Sequence, residues 1–313
     1  MINVVPVSVV VMTYNEDLNI ERCLASVHGW AGETFIVDSF STDGTLEIAR
    51  RYTHKIYQRR YDGHPQQWRW ALDNLRFRYD WVFAVDADFQ VTQELWHAIR
   101  DALSADQPAI SGYFVRHRQI FRGRFLRWGT MYPRYWLRLF RREHVLIDAD
   151  DLVDIHFYVG GRVGRLEHDV IEENRKESEL AFWVEKQIRF AQRQAVEELR
   201  RREVLSNIPA EACLLGAPDQ RTLWLKARWY RLPLYVRPFL LFFYRYVVRL
   251  GFLDGKQAFL YHFSQALLYR LLVDVRIEEL QGHAAVARAG AIEGRAPEKR
   301  ELLRPTLKGG EET

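Results

Sequence analysis

The chain has 313 residues, 48% of them hydrophobic and 27% charged. That apolar share excludes a disordered chain and suffices for one large or two small cores. Net charge is only +4, and the two cysteines, Cys23 and Cys213, match neither a zinc spacing nor a disulfide framework, so both read as packing residues in a reducing compartment.

The stretch Val7 to Met12 is one strand long and follows no basic segment, which argues against a secretion signal. Up to Leu103, apolar or β-branched runs (Val7–Met12, Phe35–Asp38, Lys55–Gln58, Trp81–Asp86) alternate with helical spacing such as Leu95, Ile99 and Leu103. The pattern predicts βαβ units around a parallel sheet. Two loops rich in side-chain acceptors follow strands directly, Thr13 to Asp17 and Asp38 to Thr45, and both fall on the carboxyl edge of that sheet. The strand Trp81 to Val85 ends on the same edge in Asp86-Ala87-Asp88. Open α/β sheets bind ligands at this edge, and two hard oxygen donors one residue apart suit Mg2+ or Mn2+ with a diphosphate. Two solvated aspartates ending a strand are the bland alternative.

Charge is unevenly spread. Between Asp106 and Glu143 there are nine arginines and no acid, and Arg221 to Leu250 carries seven basic residues among aromatics, again without an acid. Both zones favour an anionic interface. From Ser178, the positions Leu180, Trp183, Val184, Ile188, Ala191, Ala195 and Leu199 keep helical spacing and predict a long amphipathic helix. Residues 207–221, with Pro209, Gly216 and Pro218, read as a connector. Leu232 to Leu250 is interrupted by Pro238, Arg237, Arg245 and Arg249, and Ala258 to Val275 by His262, Arg270 and Asp274. Both suit a surface better than a membrane span, ordinary packed helices being the alternative. The expected division is 1–206 for the sheet domain, 207–281 for an aromatic and basic helical membrane-associating region, and 282–313 for a flexible tail.

Assembled in order, Val9-Val10-Val11-Met12-Thr13-Tyr14-Asn15-Glu16, then Ile36-Val37-Asp38 through Asp43-Gly44-Thr45, then Val85-Asp86-Ala87-Asp88, the chain resembles the family 2 inverting glycosyltransferases. The stretches Tyr132 to Arg142, Gly164 to Asp169 and Gly251 to Lys256 are similar to the subgroup that builds lipopolysaccharide cores and exopolysaccharides. The resemblance covers about residues 5–280.

It implies a GT-A-type α/β fold, a nucleotide-sugar-binding mixed, mainly parallel sheet flanked by helices, with a C-terminal amphipathic helical region. It also implies a nucleotide diphosphate donor, expected to be a UDP-sugar, a divalent Mg2+ or Mn2+ ion, and transfer with inversion to a saccharide or lipid-linked acceptor. On that basis Thr13, Tyr14 and Glu16 surround the donor base and ribose, where an aromatic ring stacks on a base beside short polar groups. Asp38, Asp43, Gln67, Asp86 and Arg138 are further donor contacts, with loop capping the competing role of Asp38 and Asp43. Asp88 is the direct metal ligand and Asp86 reaches the metal or the ribose.

Asp154 is the expected general base, with Asp151 second. Ile155 stands where relatives carry a glutamate, which leaves this assignment open. The expected setting is cytoplasmic, peripheral at the inner face of the cell membrane, with an anionic membrane surface as partner and no nucleic acid. A phosphatase using Asp-x-Asp would carry it after its first strand, and a nucleotidyltransferase would show a glycine-rich loop near the N-terminus. The alternative is a noncatalytic nucleotide-binding or membrane-bound scaffold with a degenerate glycosyltransferase fold.

Overall fold

A computed structural model of the chain describes residues 4–105, 107–147, 155–206 and 228–292. The N-terminal half alternates β1 (Val5–Thr13), α1 (Ile20–Val27), β2 (Ala31–Asp38), α2 (Thr45–Arg50), β3 (Ile56–Gln58), α3 (His64–Asn74), β4 (Trp81–Asp86), β5 (Phe89–Val91) and α4 (Gln93–Ser104). Further strands follow: β6 (Ile110–Phe121), β7 (Arg124–Phe125), β8 (Arg134–Arg141), a small antiparallel hairpin of β9 (Val145–Ile147) and β10 (Phe157–Val159), and β11 (Arg162–Glu172).

The main sheet runs β3-β2-β1-β4-β8-β6-β11-β5, with β7 appended to β6. Pairings of β1 with β2 and β4, of β2 with β3, and of β6 with β11 are parallel, while β8 enters antiparallel between β4 and β6. Six of the strands therefore point one way, which is the mixed, mainly parallel sheet expected. Strand alternation sends successive side chains of β1 to opposite faces. Val7, Val9 and Val11 join Ile20, Leu24, Leu95 and Ile99 beneath α1 and α4, whereas Val10 joins Phe35, Trp68, Ala71 and Phe140 beneath α3. Burial on both faces explains why these strands read as unbroken apolar runs.

The helix expected from Ser178 is α5 (Leu180–Ser206). Its stripe is only partly covered: Ala191 and Ala195 pack on Tyr269, Val273 and Ile277, while Leu180, Val184 and Ile188 are exposed. The expected boundary at residue 206 therefore separates two helices that share a core, since Tyr269, Val273 and Ile277 belong to α8 (Tyr269–Ile292). That helix also continues past residue 281, where a flexible tail was expected. The run from His283 to Ala291 is rich in alanine, the strongest helix former, so it extends the helix without an apolar face. Residues 207–227 and 293–313 lie outside the described residues.

Between these helices lie α6 (Arg237–Phe243), a π-helical turn at Tyr244–Val248, α7 (Lys256–His262) and a second π-helical turn at Phe263–Leu268. A buried ionic cluster joins them to α5. The Arg237 guanidinium contacts Glu198 of α5 and donates from Nε to Asp274 of α8 at 2.8 Å, and all three side chains are essentially solvent-free. A second clamp joins this helical unit to the sheet. The Asp254 carboxylate accepts the backbone N–H of Arg127 at 2.6 Å and of Trp128 at 2.8 Å, and Gly129 donates to the Arg249 carbonyl at 2.9 Å. His262 packs so closely on Gly129 that a Cβ there would come within 2.2 Å of its Nε2. No helix among the described residues is long and apolar enough to cross a membrane.

Candidate functional site

Register aligns the ends of the parallel strands. Thr13 pairs with Asp38, Asp38 with Gln58, and Met12 with Asp86, so one carboxyl edge carries Thr13, Asp38 and Asp86 side by side. The two loops leaving that edge are bonded to each other. Asn15 N–H donates to Ser41 Oγ at 2.8 Å, Glu16 N–H to Thr45 Oγ1 at 2.7 Å, and Thr42 N–H to Asn15 Oδ1 at 2.8 Å. Asn15 and Phe40 take left-handed backbone conformations, with φ of 51° and 61°. That geometry lets the loops turn back over the edge.

Asp38 and Asp43 shape this loop pair. The fully buried Asp38 carboxylate accepts Ser41 N–H at 2.9 Å, Ser41 Oγ at 2.5 Å and Gln58 Nε2 at 3.0 Å. Asp43 accepts Thr45 N–H at 3.0 Å and Asp17 N–H at 3.2 Å. Burial opposes its charge, but the Thr45 hydroxyl and these N–H groups outweigh burial and hold its carboxyl below the ordinary range. Gln67 is buried in the adjoining wall, donating to Ser39 Oγ at 2.9 Å and accepting from Arg59. Tyr14, 55% exposed, and Phe40, 53% exposed, stand on the two loops facing solvent, while the buried Thr13 hydroxyl has no hydrogen-bond partner among the described residues.

The carboxylates of β4 have different surroundings. Asp86 accepts from Arg138 Nη2 at 2.9 Å. Arg138 is 5% exposed, its guanidinium lies 5.0 Å from the Phe89 ring and 5.3 Å from that of Trp136, and its Nη1 has no hydrogen-bond partner among the described residues. Among the described residues no cation pairs with Asp88 directly, and the charge of Lys186 only partly offsets its acidic surroundings. Burial raises its carboxyl pKa well above the ordinary range, and the negative charges of Glu172, Glu16 and Asp86 raise it further. Glu172 was not singled out in the sequence. The β5–β11 pairing sets Phe89 opposite Glu172 and so brings this acid beside Asp88. Its carboxylate lies 3.6 Å from the buried His117, whose pKa is lowered by burial, with Arg138 and Arg134 acting in the same direction.

The far wall is basic. Lys176 Nζ donates to the Asn15 carbonyl at 2.9 Å and pairs with Glu16, and Lys186 pairs with Glu177 at 2.6 Å. Asp151 and Asp154 lie outside the described residues. Ile155 is half-buried against the core cluster that includes Trp68 and Phe157, and His156 is exposed.

These residues fit a divalent ion that completes its shell with donor phosphate. No group of three or more His, Cys, Asp or Glu side chains that would cage a metal occurs among the described residues. Mg2+ typically takes only one or two carboxylates together with substrate phosphates. Asp88, crowded by acids whose effect the more distant charge of Lys186 only partly offsets, is the carboxylate whose charge such an ion would relieve.

The model of the glycosyl transferase family 2 matches residues 8–168, which include both loops and Asp86 to Asp88. A lipopolysaccharide core biosynthesis glycosyltransferase, LpsC of Rhizobium meliloti, is 28% identical over 169 residues, covering 52% of this chain and 61% of its own. An uncharacterized glycosyltransferase of Rickettsia typhi is 30% identical over 118 residues, 37% of this chain and 40% of its own. The chain thus spans less than two thirds of either relative. Among solved structures, mannosyl-3-phosphoglycerate synthase from Rubrobacter xylanophilus is 16% identical with a TM-score of 0.44 over 68% of this chain and 78% of its own. S. aureus TarS 1-349 is 15% identical with a TM-score of 0.40 over 93% of each chain. With its matched segment covering half of the sequence, including Thr13, Asp38, Asp86 and Asp88, the chain belongs to glycosyl transferase family 2.

Proposed function

We propose that the chain transfers a sugar, with inversion, from a nucleotide diphosphate donor, a UDP-sugar in the first instance, to a saccharide or lipid-linked acceptor in cell-surface polysaccharide assembly. It works at the cytoplasmic, inner face of the cell membrane. The observation that carries this reading is Asp88, an acid crowded by three others at the carboxyl edge of a nucleotide-binding type of sheet. The name of the Rhizobium relative supports a lipopolysaccharide acceptor.

In this reading Tyr14 stacks on the base, and the unpartnered Thr13 hydroxyl and Glu16 meet its edge and the ribose. Phe40 covers the base from the second loop, and Asp38, Asp43 and Gln67 keep the two loops in place for those contacts. Asp88 and Asp86 hold Mg2+ or Mn2+, with Glu172 beside them. When bound, the ion stabilises the charge gathering on the departing diphosphate without proton transfer. Arg138 neutralises Asp86 from behind and presents its free Nη1 to phosphate oxygen. Asp154, or Asp151 in its place, takes the proton of the acceptor hydroxyl. A second reading, a nucleotide-binding scaffold without turnover, is favoured by Ile155, which packs in the core where relatives carry an acid.

Calorimetric titration of UDP, GDP and dTDP with Mn2+ or with EDTA, on the native chain and on Asp88→Asn, tests the reading. One nucleotide binds with metal, and binding is lost in the variant. Because folding raises the Asp88 pKa, its charge opposes folding above the ordinary aspartate range, so the metal-free variant unfolds no earlier than the native chain near neutral pH. Absence of nucleotide binding under every condition refutes the donor site. Metal-dependent binding without hydrolysis or transfer of any UDP-sugar selects the scaffold.

A further inference from the structure

Two basic zones that are far apart in sequence meet in the fold. The loop after β7 is clamped to the C-terminal helices by Asp254, and a groove of about 400 Å³ opens at that junction, lined by Arg127, Trp128, Tyr132, Val248, Arg249 and Leu250. Beside it the aromatic rings form one connected layer. Phe252 lies 6.3 Å from Tyr246, which stacks on Phe242 at 5.3 Å; Phe242 meets Phe259 at 6.3 Å, and Phe259 stacks on Phe263 at 5.8 Å. Phe252, Phe259 and Phe263 are exposed, as are Phe239 at 54% and Phe243 at 56%. A soluble surface rarely leaves so many large apolar side chains together. Arg127, Arg249 and Lys256 are exposed around the layer. From Arg228 to Leu253 there is no acid, and Asp254 is buried beneath the loop it holds.

We propose that this composite face docks on an anionic phospholipid bilayer, the phenylalanines entering the acyl boundary while Arg127 and Arg249 at the mouth of the groove meet lipid phosphate. The assignment deepens the reading of the chain as a membrane-surface transferase and does not depend on its donor chemistry. Charge complementarity selects an anionic bilayer over a second copy of the chain, whose face would bring the same three cations against these. The absence of a helix long enough to span, among the described residues, makes the attachment interfacial.

Co-sedimentation of the full chain with vesicles of phosphatidylcholine alone, and of phosphatidylcholine mixed with phosphatidylglycerol, tests this, with UDP–Mn2+ titration and light scattering run alongside. The native chain partitions onto the anionic vesicles in preference to the neutral ones. Each surface cation contributes about fivefold, so Arg127→Glu/Arg249→Glu lowers that partitioning at least about twentyfold. Phe239→Ser/Phe243→Ser, at exposed positions, lowers it at least about tenfold on both vesicle types. Nucleotide titration is unchanged in both variants. Equal sedimentation of the native chain and the phenylalanine variant, or no sedimentation of the native chain, overturns the proposal. A vesicle-free dimer that Phe239→Ser/Phe243→Ser dissociates assigns the face to a second copy and overturns it as well. Failure of nucleotide binding with docking intact strikes the donor site alone.

Discussion

Replacing Arg237 by methionine removes the one cation shared by two buried carboxylates. Glu198 and Asp274 are 1% and 0% exposed, and the guanidinium touches both. After the substitution Glu198 retains Arg202 at 2.8 Å, and Asp274 retains, among the described residues, the Tyr235 N–H at 2.8 Å. A buried pair broken from one side costs about 3–5 kcal/mol, because a charge is left in a dry interior. At this chain length each kcal/mol moves the thermal midpoint by about 2 °C, so Arg237→Met lowers it by about 6–10 °C. Adding Glu198→Gln and Asp274→Asn to the same chain removes the stranded charges and recovers much of the loss, while either addition alone recovers less. Differential scanning calorimetry of the native chain and these four variants measures this directly. A midpoint within 2 °C of the native one for Arg237→Met, or no recovery in the triple variant, would show that the cluster does not hold the helical unit in the way described.

Burial and Arg245 lower the pKa of His262 to about 4, while an exposed histidine titrates near 6.5. The unfolded chain therefore binds the extra proton first, and stability falls as pH drops from about 6.5 to 4, by about 3 kcal/mol from this one group. Urea unfolding across that range shows a slope that is flatter by about one proton in His262→Gln, whatever the variant's absolute stability. Tyr14→Ala, at an exposed position, leaves the thermal midpoint unchanged and weakens binding of the preferred nucleotide about tenfold, close to the loss of one stacked ring. An equal affinity for nucleotide would move the base elsewhere in the cleft.

The strands and their carboxyl edge were readable because parallel strands covered on both faces must be apolar throughout, so the change to Asp38 and Asp86 marks where each leaves the core. The chemistry of individual acids was less so. Asp38 and Asp86 look alike in sequence, yet one is spent on Ser41 and Gln58 and the other faces Arg138, which arrives on a strand inserted antiparallel fifty residues later. Glu172 was missed because only the pairing of β5 with β11 brings it to Asp88. Phe40, also passed over, carried a local signal, a large apolar ring in an otherwise polar loop. The joining of the two basic zones depends on backbone N–H groups meeting Asp254, and a backbone donor leaves no trace in side-chain patterning. Asp151 and Asp154 lie outside the described residues.

Lys176, which grips the loop after β1, stands just ahead of α5, and Glu198, which receives Arg237, lies eighteen residues after Leu180 on the same helix. At 1.5 Å per residue that is a strut of about 27 Å. One end is tied to the wall of the donor cleft and the other to the helices that carry the aromatic face. If the proposed docking and transfer both hold, the helix works as a ruler that sets how far from that face a sugar is delivered. A lipid-linked acceptor would then have to present its hydroxyl at that height, which makes the length of the stalk between lipid and sugar a selection criterion independent of the sugar's own hydroxyl pattern.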